Sequence, residues 1–301
     1  MTKINNNTYP ETMEVEVENL SPENNKLKNK HYQRFAPFLR FTHLLIVVSF
    51  ISLAVTGMII KFADVGVFQA LAKFLGGYQV TGFIHRVGAI ITFLYFGMHI
   101  TFLIKKRKET SAKYLFLGDN SMMFNKRDLK EFVGTIKWFL GKGPRPDYGR
   151  WTYWEKFDYF AVFWGVAVIG FSGLILWFPE FFTLIGFPGW FINVATIIHS
   201  DEALLAVGFI FTIHFFNTHF RPDKFPIDTT IFTGSMSIEE LKYDRPRQYR
   251  TLIETGELNE RLVDPPPPWL VKASKIFGFT ALTIGITIII MIIYSMIFLY
   301  R

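Results

Sequence analysis

Six of the seven histidines in this 301-residue chain lie inside or at the rims of long apolar stretches. Ionisable groups at such depth are costly and mark functional sites. His85 and His99 stand 14 residues apart in one stretch, and His199 and His214 stand 15 apart in another. At about 100° and 1.5 Å per residue, either interval returns the side chain to nearly the same helix face, roughly 21–22 Å further on. That distance is about two thirds of a bilayer core of roughly 30 Å. Two facing helices with this pattern can hold one haem near each membrane surface, each iron gripped between two imidazoles. The chemistry implied is electron transfer to or from quinone.

The composition agrees with a membrane setting. Half of the residues are hydrophobic, 34 are Phe, and the mean hydropathy is +0.25, above that of an ordinary soluble domain. Cysteine is absent, which excludes disulfides, thiolate-held iron–sulfur clusters and covalent c-type haem. Any haem must therefore be held non-covalently, with histidine as the ligand. Five stretches are long enough to span: Phe41–Phe62, Tyr78–Ile104, Phe157–Phe178, Phe191–Phe220 and Ile276–Leu299. The fold class expected is an all-α integral membrane protein, a four-helix haem-binding bundle plus a fifth transmembrane helix, surrounded by membrane lipid.

Basic residues orient it. The loop from Lys105 to Lys156 carries 13 Lys and Arg, and the segment from Arg221 to Lys275 carries 9. The loop from Pro179 to Trp190 has none. By the positive-inside rule the N-terminus is cytoplasmic and Arg301 is outside. The net charge of +7 follows from these loops and calls for no nucleic-acid partner. Residues 1–31 read as a flexible cytoplasmic tail without an apolar signal segment. Residues 32–230 form the cytochrome core, with a cytoplasmic loop at 105–156. Residues 231–275 are a second cytoplasmic loop, and 276–301 the fifth transmembrane helix. Within the loops, Arg127–Leu140 has the spacing of a surface amphipathic helix, Ser237–Glu240 that of a capping box, and Pro265–Pro268 is a stiff spacer.

Distance from the nearest basic boundary estimates depth. His99 precedes Lys105 by six residues and His214 precedes Arg221 by seven, so these two are level. His85 and His199 both sit early in spans that start outside. Geometry alone therefore pairs His85 with His199 and His99 with His214. His43 and His219 are shallower, at the cytoplasmic rim, where a third haem, a hydrogen bond to quinone, or snorkelling to the interface are the alternatives. His31, in the polar tail, is expected to be solvated. Gly88 shares a helix face with His85, and Gly57, Gly165, Gly170, Gly173 and Gly208 lie in spans. Such glycines serve either a flat macrocycle or close helix packing. Arg86 can neutralise a haem propionate or pair with Asp201 or Glu202.

The stretch Arg40-x-x-His43, the run His85-Arg86-x-Gly88 and the two spaced histidines of the fourth span resemble the cytochrome b subunits of formate dehydrogenase, thiosulfate reductase and nickel–iron hydrogenase. So do Trp154-Glu155-Lys156-Phe157-Asp158-Tyr159, Gly170-x-x-Gly173, Leu176-Trp177-Phe178-Pro179 and His214-Phe-Phe-Asn217-x-His219-Phe-Arg221. The resemblance covers roughly residues 32–230. It implies two b haems, the outer on His85 and His199 and the inner on His43 and His214. His99 and His219 are additional to that pattern, which leaves the partner of His214 as His43 or His99 and the haem count as two or three. It further implies a quinone pocket at Thr152–Glu155, with Trp154 as a stacking wall and menaquinone or ubiquinone as ligand. The setting implied is a bacterial cytoplasmic membrane, with a partner subunit outside carrying iron–sulfur clusters or multihaem c-type cytochrome. Glu155 and Asp158 are the candidate proton exchangers there. The rival reading is a histidine-based transporter of protons or metal, for which two level pairs have no use.

Overall fold

The computed structural model describes residues 29–111, 116, 118, 120–221 and 224–299. All but the last three residues of the expected tail at 1–31 lie outside the described residues. Five long helices have the length and hydropathy to cross a membrane: α1 (Pro37–Lys61), α3 (Tyr78–Glu109), α5 (Tyr153–Trp177), α7 (Trp190–Phe220) and α12 (Pro268–Phe298). The third and fifth start earlier than their apolar runs. Thr152 and Glu155 close a capping box that sets the first turn of α5. Pro268 occupies the first turn of α12, where its missing N–H costs nothing.

α1 packs along α3 and also touches α7 and α12, while α7 packs on α5. Their lipid faces are apolar, with Phe83, Ile90, Leu94, Ile197 and Leu205 exposed. The fifth helix packs on α1 and α7. A Cβ on Gly285 would meet Phe211 at 2.5 Å and Phe215 at 2.7 Å, so this glycine lets α12 approach α7 closely. Four five-residue π-helical stretches occur among the described residues, Val166–Gly170 in α5, Ile210–His214 and Phe216–Phe220 in α7, and Ser295–Leu299 at the end of the fifth span.

Shorter elements close the two ends. α2 (Gly66–Phe74) and α6 (Pro179–Leu184) sit at one end. At the other, a three-stranded antiparallel sheet has β1 (His31–Gln33) between β2 (Ser235–Ser237) and β3 (Leu262–Val263). The short helices α8 (Thr230–Thr233), α9 (Ile238–Asp244), α10 (Pro246–Glu254) and α11 (Glu257–Glu260) complete this sheet end. Tyr32, Met236, Ile238, Leu241, Leu252 and Leu258 form its core. His31 is thus not a solvated tail residue: it is half-buried in the central strand, paired with Ser237 and Val263.

α4 (Lys126–Phe139) is the amphipathic helix expected near 127–140, and its polar face turns inward. Asp128 pairs with Lys156 at 2.9 Å and Glu131 with Arg247 at 2.8 Å, while Leu129, Phe132, Ile136 and Phe139 stay exposed. That is how a helix lies on a membrane surface.

Candidate functional site

A single cavity of about 2320 Å³ runs through the bundle from the sheet end to the opposite, far end. Ligand pockets usually hold about 300–1,000 Å³, so this one has room for more than one large cofactor. All six intramembrane histidines line it, together with Arg86, Trp154 and Glu155.

Near the far end, α3 and α7 bring His85 and His199 face to edge, with ring centroids 6.2 Å apart. Two imidazoles on opposite sides of one metal, each about 2 Å from it, have ring centres roughly 6 Å apart, so the spacing suits an iron between them. Each ring is anchored through Nδ1. His85 Nδ1 lies 2.9 Å from Thr56 Oγ1, and His199 Nδ1 lies 2.9 Å from the Ile169 carbonyl. A ring that donates its Nδ1 proton to such an acceptor presents Nε2 as the lone-pair donor, the usual arrangement at a metal. Gly57 and Gly173 make room for these rings. A Cβ at Gly57 would stand 3.4 Å from His85 Cε1, and one at Gly173 only 2.9 Å from His199 Cε1. Gly88, the glycine sharing a helix face with His85, packs instead against Leu53 of α1.

Towards the sheet end, α7 presents His214 and α1 presents His43. His214 Nδ1 is 2.9 Å from Asp158 Oδ2 of α5. His43 lies within electrostatic reach of His214, and its own Nδ1 is buried with no partner among the described residues. The π-helical turn at Ile210–His214 matters here. A π-bulge absorbs about one residue, so the 15-residue interval from His199 behaves like about 14 regular ones and keeps both side chains towards the cavity.

His99 is engaged by α5. Its Nε2 bonds the Tyr159 hydroxyl at 3.0 Å, and its ring packs on Tyr159 and Phe163 of α5. Fourteen α-helical residues fall about 40° short of whole turns, and at His99 that turn is spent facing α5 rather than α7. His219 is buried against Phe215 and against Phe279 of α12, and no second imidazole packs on its ring. His214 lies within electrostatic reach of both His43 and His219, so direct ring contact among the described histidines singles out one pair, His85 with His199.

The remaining expectations divide. Arg86 pairs with neither acid: its guanidinium lies over Trp177 at 5.9 Å, while Asp201 pairs with Lys61 at 3.2 Å. It lines the far end of the cavity. Trp154 is enclosed by Tyr148 and Tyr153 edges, and Arg221 lies over its ring at 4.8 Å, so much of the expected stacking wall is already covered. Glu155 does not suit proton exchange. Its Oε1 accepts from Arg34 at 2.9 Å and Arg245 at 3.0 Å, and its Oε2 accepts from the Thr152 amide and hydroxyl at 2.9 Å each. Both carboxylate oxygens are thus already engaged, one by two guanidiniums and the other by the helix cap. Thr56, Ile169 and Asp158 as ring partners, and Arg245 on Glu155, carry no local motif that would have announced them.

The donor set fits haem b. Imidazoles anchored through Nδ1 at His85, His199 and His214, apolar walls, glycine cradles and arginines at both ends suit a macrocycle with anionic propionates. A family model described as prokaryotic cytochrome b561 matches residues 34–221. No curated protein matches the chain.

Proposed function

From the premise that this chain belongs to the prokaryotic cytochrome b561 family, multi-pass membrane proteins with a haem b electron-transfer role, we propose that it links the quinone pool to a redox subunit across a bacterial cytoplasmic membrane. Two histidine pairs do the holding: His85 with His199 at the far end, and His43 with His214 at the sheet end. Haem b, when bound, supplies one-electron oxidation and reduction. The protein's part is to fix the rings, exclude water and set the spacing along the bundle. The observation that carries the reading is the His85–His199 pair, 6.2 Å between centroids with each Nδ1 anchored at 2.9 Å.

The basic loops support a cytoplasmic sheet end. Quinone chemistry belongs at that end, where Asp158, Tyr159 and His99 line the cavity. The Tyr159–His99 hydrogen bond offers a phenol and an imidazole within one contact, groups able to bond a quinone oxygen. The partner subunit belongs at the far end, beside Arg86 and Trp177, and carries iron–sulfur clusters or c-type haems. A metal transporter is less well supported, since no three His, Asp or Glu side chains converge as a metal site among the described residues.

Pyridine haemochrome on the purified protein should give two haems per chain. His85→Ala and His199→Ala should each remove the same one, identified by its α-band and midpoint potential. Loss of spectroscopically different haems in the two variants would dismantle the pairing, and a colourless protein would dismantle the whole reading.

A further inference from the structure

At the sheet end the cavity is lined by cations that the ligand pairs do not use. Arg34, which precedes α1, and Arg245, between α9 and α10, both line it and are about 95% buried. Each spends one nitrogen on Glu155. Arg34 Nη1 and Arg245 Nε and Nη1 are buried without a hydrogen-bond partner among the described residues. Leaving such donors unmet is costly, the more so on charged groups. Burial, then the neighbouring Arg245 and Arg150 cations, push the Arg34 guanidinium down to about 10 despite Glu155. The other acids nearby, Asp228 and Asp244, are already taken up by Lys224. Two buried guanidiniums that share one carboxylate beside a cavity both residues line, and that keep unmet donors, describe a site short of one anion.

Position says which anion. Glu155 is three residues before Asp158 on α5, about 4.5 Å of helix rise, and Asp158 holds His214. The unmet donors therefore stand about one helical turn beyond the sheet-end histidine pair, on the sheet side. Carboxylate arms on the rim of a macrocycle held at His214 extend into that space.

We propose that Arg34 and Arg245 form a carboxylate pocket that receives a propionate of the haem held by His43 and His214. The assignment rests on the bis-histidine reading above. It gives the sheet-end segment a role in the redox core: Arg245 lies beyond the family match at 34–221, so this segment would help seat the cofactor rather than only cover it. Recognition uses charge-assisted hydrogen bonds, the strongest class available to a carboxylate.

The test is redox-induced infrared difference spectroscopy on the full-length holoprotein, made with haem carrying ¹³C in its propionate carboxylates. A His85→Ala background isolates the sheet-end haem. The isotope-sensitive carboxylate bands should shift in Arg245→Gln, and also in Arg245→Lys, which keeps a cation but loses the planar donors. The sheet-end midpoint potential should fall in Arg245→Gln, because a cation that favours the reduced state is gone. Sulfate titrated into the wild-type protein should leave the bands unmoved. Haem present with unmoved bands in both variants overturns the pocket, and saturable sulfate binding lost in Arg245→Gln would then assign it to a free oxoanion. A preparation without haem refutes the cytochrome reading along with it.

Discussion

Gly173 offers the sharpest test of the far-end pair, because adding one methyl there sets sterics against helix propensity. In a helix Ala is favoured over Gly by about 1 kcal/mol, so Gly173→Ala should stabilise α5 if nothing else intervened. The new Cβ, however, would lie 2.9 Å from His199 Cε1 and 3.2 Å from its Nδ1, where ordinary contact begins at 3.4 Å. The imidazole cannot simply turn away, because its Nδ1 is bonded to the Ile169 carbonyl at 2.9 Å. Overpacking of this kind costs about 1–3 kcal/mol. At about 1.4 kcal/mol per tenfold, that weakens haem retention at this site roughly 5- to 150-fold. Gly57→Ala is the internal control: its Cβ would stand 3.4 Å from His85 Cε1, already an ordinary contact. Redox titration and low-temperature EPR read the outcome. Gly173→Ala should lower the occupancy or shift the low-spin signal of one haem and spare the other, and Gly57→Ala should leave both as in wild type. Wild-type spectra in Gly173→Ala, or the larger loss in Gly57→Ala, would refute the placement of His199 as a ligand held against α5.

His43→Ala should remove the sheet-end haem, whereas His99→Ala should retain it and lose only the hydrogen bond to Tyr159; retention in His43→Ala would return His99 as the ligand. Glu155→Gln should lower the thermal midpoint, because Arg34 and Arg245 lose their shared counter-charge at a cost of about 3–5 kcal/mol. An unchanged midpoint with slowed quinol-driven haem reduction would restore Glu155 as a proton exchanger. Gly285→Val should destabilise the protein by about 1–3 kcal/mol, since its side chain would meet Phe211 and Phe215, yet keep both haem signals. A wild-type thermal midpoint would show that α12 does not seat through this glycine.

What the sequence makes legible here follows from how local each signal is. A run of some twenty apolar residues declares a span without any partner, and all five helices lie where such runs occur. The His85–His199 pair is legible for the same reason: both spans run in one direction, and depth can be counted from their basic ends. The sheet-end pair is not, since choosing between His43 and His99 depends on the rotation of α3 against α5. His99 bonds Tyr159 of α5, and nothing in the spacing records that contact. Strands of two or three residues are too short to show alternation, so β1 to β3 are silent in the sequence. The ion pairs of the sheet end join residues far apart, such as Arg245 with Glu155, and no periodicity marks them. The π-helical turns leave no pattern either, although one of them brings His214 round to the cavity.

The two histidine pairs differ less in their ligands than in what holds the ligands. Neutral oxygens anchor the far-end rings, the Thr56 hydroxyl and the Ile169 carbonyl. A carboxylate anchors one sheet-end ring, Asp158 on His214. An anionic partner raises the basicity of an imidazole and favours the higher charge on the metal it binds. Cations close by act in the opposite sense, and the sheet end has them in Arg34 and Arg245. Identical bis-imidazole ligation at both ends would give no potential gradient by itself. On that ligation, a gradient along the bundle would come from the charges at each end, Asp158 and the two arginines at the sheet end and Arg86 at the far end. Asp158→Asn and Arg245→Gln should therefore move the sheet-end potential in opposite directions, and a shift of the same sign in both would show that neither acts through its charge.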